Sequence, residues 1–165
     1  MWHNPLFWLI VICVAIGMEF WAMLLHGRLW HRAWWPAHRS HHEPRTGPLE
    51  WNDAFAVLHA AIAIVLIVGG LQANRGWPTQ LAVAIGVGMT VFGVSYFAVH
   101  DGLIHGRLPV AFLTRFAWLR RIRNAHAVHH RVDGGPYGLF LGPWELRRAQ
   151  RRAVRRGPSA PGIRR

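Results

Sequence analysis

The chain has 165 residues, a length suited to one domain, and its 52% hydrophobic and 16% charged residues make it more apolar than ordinary soluble proteins. Its 19 basic residues are all arginines and give a formal net charge of +12, but apolar runs long enough to cross a bilayer argue against a nucleic-acid binder. The single cysteine, Cys13, excludes an intrachain disulfide, a thiolate zinc finger and a Cys-ligated iron–sulfur cluster, so any metal must be held by nitrogen or oxygen.

In chain order, the first apolar run is Leu6 to Leu25. No arginine precedes it and no small-x-small pattern follows, so it reads as a retained anchor and not a cleaved signal. The loop after it carries "HGRLWH" (His26, His31) and "PAHRSHHEPR" (His38, His41, His42). Asn52 and Asp53 read as start signals for a second helix over Ala54 to Leu71, a structural role. "QANRGWPTQ" then leads into a third run, Leu81 to Val99. Each run has about 18–20 residues, which at roughly 1.5 Å per residue matches the ~30 Å hydrocarbon core. Beyond "HDGLIH" (His100, His105), the stretch "LPVAFLTRFAWLRRIRNAHAVHH" reads as an interfacial helix, because Arg115, Arg120, Arg121 and Arg123 make a full crossing costly. "DGGPYGLFLGPWE" reads as loop. Residues 146–165 form an arginine-rich, Pro-broken tail, mobile or lipid-bound, outside a membrane domain of residues 1–145. The fold expected is an all-α membrane bundle of three spans with interfacial helices.

Three crossings put residues 27–53 and everything from His100 onward on one side, and these hold 18 of the 19 arginines; Arg75 lies on the other. The positive-inside bias therefore places the N-terminus outside and the arginine-rich regions in the cytoplasm, as in a bacterial inner membrane. Ten histidines go with them, and only His3 and His59 fall elsewhere.

On a helix, positions i, i+3 and i+4 share a face, so His38, His41 and His42 form one fork of imidazoles, and His126, His129 and His130 another. His26 and His31, like His100 and His105, are five apart, about 140° around an ideal α-helix. Such a pair converges if the turn widens into a π-bulge; alternatively its members serve different metal ions, which suits a two-metal site especially well. Ten imidazoles exceed the needs of one ion and suffice for two, although imidazole suits Fe, Zn, Cu and Ni alike.

The stretch from "GMEFWAMLLHGRLWHRAWWPAHRSHHEPRTGPLEWNDAFAV" through "FAVHDGLIHGRLP" to "NAHAVHHR" resembles the bacterial β-carotene hydroxylases, members of the fatty acid hydroxylase superfamily of membrane di-iron enzymes. The resemblance runs from about Gly17 to Gly142 and carries four histidine motifs in family order. It implies a non-haem di-iron centre held by His26, His31, His38, His41, His42, His100, His105, His126, His129 and His130. It further implies O2-dependent hydroxylation of β-carotene at carbon 3 of each β-ionone ring, through β-cryptoxanthin to zeaxanthin. Electrons must then come from an external donor, since no flavin, nicotinamide or haem motif is present; an acidic ferredoxin would suit the arginine-rich face. Fatty acid hydroxylases, sterol hydroxylases and carotenoid ketolases share the chemistry. A metal transporter would instead place ionisable groups near mid-bilayer.

Asp101 is a candidate acceptor for the distal N–H of a metal-bound histidine, with pairing to Arg107 as the competing role. Glu19, the one carboxylate inside a span, is a functional candidate, and a buried hydrogen-bonded pair with His59 is one expectation for it. The tryptophans near span ends, Trp21, Trp30, Trp34, Trp35, Trp51 and Trp77, read first as an interfacial belt.

Overall fold

The computed structural model describes residues 1–73, 76–132 and 134–156; Arg75 and the tail beyond Arg156 lie outside the described residues. It is all-helical, with no strand among the described residues. The long helices are α1 (Pro5–Leu25), α3 (Asp53–Ala73) and α4 (Trp77–Phe97), and between the first two lies a short α2 (Trp35–His42). Asn4 starts α1 by accepting the Leu6 N–H at 3.0 Å, with Pro5 at the first helical position, where its missing donor costs nothing. Gly76, at φ 74°, turns the chain into α4, where Pro78 again sits in the first turn.

The three helices meet the length and composition of membrane spans, over Pro5–Trp30, Asp53–Ala73 and Trp77–Ile104. Their outward faces carry Ile12, Ile16, Ile64, Val65 and Val94, all exposed in the isolated chain and suited to lipid contact. Their contacts use small residues, as expected where lipid tails are as apolar as the side chains. A Cβ added at Gly86 would lie 2.8 Å from the Ala63 carbonyl, and one at Gly88 would lie 2.8 Å from that of Val11, so α4 approaches α3 and α1 backbone to backbone. Phe7, Val11, Val83 and Ala84 fill the α1–α4 contact.

At the end where α1 and α4 finish and α3 begins, both departing helices continue as π-helical turns, His26–Trp30 and Ala98–Ile104. These turns bracket the two five-residue histidine spacings. The expected interfacial helix is shorter than anticipated: a 3-10 turn, Ala111–Arg115, precedes α5 (Ala117–His129). The expected loop also ends early, because α6 (Gly142–Arg156) begins inside "GPWE" and runs on through the first part of the tail. Trp51 and Trp77 are exposed at span ends as a belt requires, whereas Trp30 and Trp34 instead stack on Phe55 at 4.5 and 5.4 Å between ring centres.

Candidate metal centre

The four histidine motifs converge. One group, His26, His31, His38, His42 and His129, has one ring nitrogen from each within 4.8 Å of every other; a second, His41, His105, His126 and His130, has the same spacing. His100 adjoins the second group, its ring 4.6 Å from His41 and 4.8 Å from both His105 and His126. His3 and His59 belong to neither group. Each triplet is divided between the groups: α2 sends His38 and His42 one way and His41 the other, and α5 splits likewise.

The five-residue pairs reach the cage because the turn between them is wide. The His31 N–H bonds the His26 carbonyl at 3.1 Å, and the His105 N–H bonds that of His100 at 3.0 Å, the i to i+5 pattern of a π turn. His26 and His31 thus fall in one group, which corrects the idea that such pairs divide between two ions.

The protonation pattern follows from the oxygen partners. His26 Nδ1 lies 2.8 Å from the Tyr137 carbonyl, His129 Nδ1 is 3.0 Å from that of Gly134, and His38 Nδ1 is 2.8 Å from Asn52 Oδ1. A carbonyl oxygen only accepts, so each Nδ1 carries the proton and each Nε2 of a neutral ring is a bare lone pair. Yet His26 Nε2 lies 3.0 Å from His38 Nε2. Two lone pairs at that distance repel one another, and a cation between them converts the repulsion into attraction. Two nitrogens at right angles around an ion, each about 2.1 Å from it, stand about 3.0 Å apart. Similar separations recur at 3.2 Å for His31 with His129 and 2.9 Å for His126 with His130. His41 Nε2 is buried with no protein partner. The donor set fits metal ions.

Burial keeps the rings neutral, as metal ligation requires. Desolvation, reinforced by facing imidazoles, holds His38 and His105 at about 3, His129 at about 4 and His130 at about 2. The same causes place His41 and His126 well below the ordinary histidine value.

Carboxylates concentrate behind the second group. His41 Nδ1 faces Glu50 Oε2 at 3.3 Å and His100 Nδ1 faces Asp101 Oδ2 at 3.1 Å. Arg107 ties these acids together, contacting Glu50 at 3.2 Å, Asp101 at 3.2 Å and Asp53 at 2.9 Å. Asp101 therefore contacts both partners considered for it, His100 and Arg107. Asn52 and Asp53 do more than start α3: one orients His38, and the other holds Arg107 and accepts the Glu50 N–H at 2.9 Å. The sequence hinted at this in "PLEWND", three polar groups ahead of an apolar span, but Arg107 is 54 residues away.

No hydrogen bond joins Glu19 to His59. Glu19, only 5% exposed, accepts the Leu141 N–H at 2.9 Å through Oε1, whereas His59 donates from Nδ1 to the Phe55 carbonyl and accepts from Trp21. The pair fails because the segment after α5 folds back against α1 and supplies Glu19 with backbone donors instead.

The chain matches the fatty acid hydroxylase family over residues 11–146, which takes in every histidine of the cage. The chain belongs to the fatty acid hydroxylase family. Among its relatives in that family it is 49% identical over 134 residues to the chloroplastic β-carotene 3-hydroxylase 1 of Arabidopsis thaliana, covering 80% of this chain and 43% of that protein. It is 47% identical over 126 residues to the β-carotene hydroxylase of Pantoea ananas, covering 76% of this chain and 69% of that one. The chain thus spans less than half the length of the plant relative. No solved structure matches it. For a fatty acid hydroxylase family member, the two imidazole groups at the ends of the spans are the histidine groups able to hold metal.

Proposed function

We propose that this protein is a β-carotene 3-hydroxylase whose ten clustered histidines hold two iron ions. The observation that carries the reading is the pair of imidazole groups with opposed lone pairs at one end of three apolar spans. Its likeness to hydroxylases named for β-carotene, from a plant and a bacterium, supports the substrate. Iron held there supplies O2-dependent oxidation of an unactivated C–H bond to C–OH.

The protein's own residues do the rest. Tyr137, Gly134 and Asn52 fix the tautomers of His26, His129 and His38, so that each Nε2 presents a lone pair. Glu50 and Asp101 orient His41 and His100, and raise their basicity as carboxylate partners do. The site's position at the end of the spans lets a lipid-soluble carotenoid present its ring without leaving the bilayer. The arginine bias supports a cytoplasmic site with the N-terminus outside. The exposed Arg147, Arg148, Arg151, Arg152 and Arg155 of α6 suit an acidic ferredoxin-type electron donor.

Expression in a bacterium that accumulates β-carotene, followed by pigment chromatography, tests the reading. β-Cryptoxanthin and zeaxanthin are expected. Unchanged β-carotene beside folded, iron-loaded protein would overturn the substrate assignment and favour a fatty acid or sterol hydroxylase or a carotenoid ketolase.

A further inference from the structure

The segment 134–141 touches the cage through two backbone carbonyls, and two carboxylates from different helices hold it in place. Glu145 Oε2, from the first turn of α6, accepts the Tyr137 N–H at 3.1 Å and the Gly138 N–H at 2.7 Å. Glu19 Oε1, from α1, accepts the Leu141 N–H at 2.9 Å. Tyr137 is the pivot: Glu145 grips its N–H while its carbonyl receives the proton of His26 Nδ1 at 2.8 Å. Three residues earlier, the Gly134 carbonyl receives that of His129 at 3.0 Å. Packing reinforces the clamp, because a Cβ at Gly27 would meet the Tyr137 ring at 2.8 Å and one at Gly138 would meet Glu19 Oε1 at 2.9 Å. A side chain at either glycine would require the Tyr137 ring or the Glu19 carboxylate to shift.

Both histidines so held belong to the first imidazole group. The second group and the adjoining His100 use separate supports, the carboxylates that Arg107 gathers behind His41 and His100. We propose that Glu145 and Glu19 are positioning residues that aim His26 and His129 through segment 134–141, so that this part of the first group is held independently of the second group. The inference rests on the di-iron reading above and adds that the two ions can be lost one at a time. Groups that orient metal-bound histidines typically account for 10–100-fold in metal affinity, enough to empty one site and leave its neighbour filled.

The test uses the full chain, purified in lipid nanodiscs and loaded with 57Fe, read by Mössbauer spectroscopy and iron content. Glu145→Ala is expected to lose about one of two irons per chain and one of two Mössbauer components, with helicity unchanged. Glu145→Gln keeps an acceptor oxygen and is expected to retain both irons but release one about 10-fold faster to a chelator, the other at the wild-type rate. Two irons with unaltered spectra in Glu145→Ala, or parallel loss of both, would overturn independent support. Should Glu145→Ala fail to fold, the chelator experiment on Glu145→Gln decides alone, and equal release rates overturn the proposal. Wild-type protein that takes up no iron contradicts the di-iron reading itself, a different outcome from parallel loss.

Discussion

At the residue scale the centre depends on imidazole tautomers, and those are set by neighbours that are not ligands. Asn52 is the clearest case, since its Oδ1 accepts from His38 Nδ1 and an aliphatic residue there leaves a buried N–H without an acceptor. Asn52→Leu is expected to lower metal affinity by about 10–100-fold while Asn52→Asp keeps it; metal-competition titration checks this, and equal affinity in Asn52→Leu would count against the assignment. His41→Ala and His129→Ala, one from each group, are each expected to abolish hydroxylation with loss of bound iron, read by turnover and metal analysis. The sequence displayed the ligand candidates because histidine at i, i+3 and i+4 is legible from spacing alone. It did not display Glu50, Tyr137 or Glu145, whose roles depend on contacts between segments up to 111 residues apart.

At the element scale the three spans were readable because about 20 apolar residues have few other uses, and the boundaries agree to within a few residues. The π turns were posed as a question by the five-residue spacings but not decided by them, since widening depends on packing at the ends of α1 and α4. α6 was missed because its arginines and "GPWE" read as tail and turn. Its first turn is anchored by the Glu145 bonds to segment 134–141. The α3–α4 contact carries its own test. Gly86→Val forces a Cβ to 2.8 Å from the Ala63 carbonyl and 2.7 Å from the Ile67 side chain. It is expected to destabilise by about 1–3 kcal/mol, as overpacking does, and unfolding in mixed micelles measures it; unchanged stability would mean that the two helices sit farther apart.

For the whole molecule, the bundle is a frame that gathers imidazoles from the π turns after α1 and α4, from α2 and from the end of α5 at one end of the spans and keeps them out of water. Without metal this arrangement has a cost that depends on pH. His38 and His105 titrate near 3 when folded, against about 6.5 when unfolded, so the unfolded chain binds more protons below pH ~6.5. Metal-free protein is therefore expected to lose stability steadily as pH falls from about 6.5 toward 3, with no such contribution above 6.5. Thermal unfolding of chelator-treated protein in detergent checks this, and a flat profile between pH 7.5 and 5 would contradict the buried, neutral cage. The most direct measurement is X-ray absorption at the iron edge on the purified chain, combined with iron quantitation. Two irons per chain, each with a shell of light ligands near 2.1 Å and features from imidazole rings, is the expected result; less than one iron, or a shell without imidazole, would contradict the histidine cage as a di-iron site.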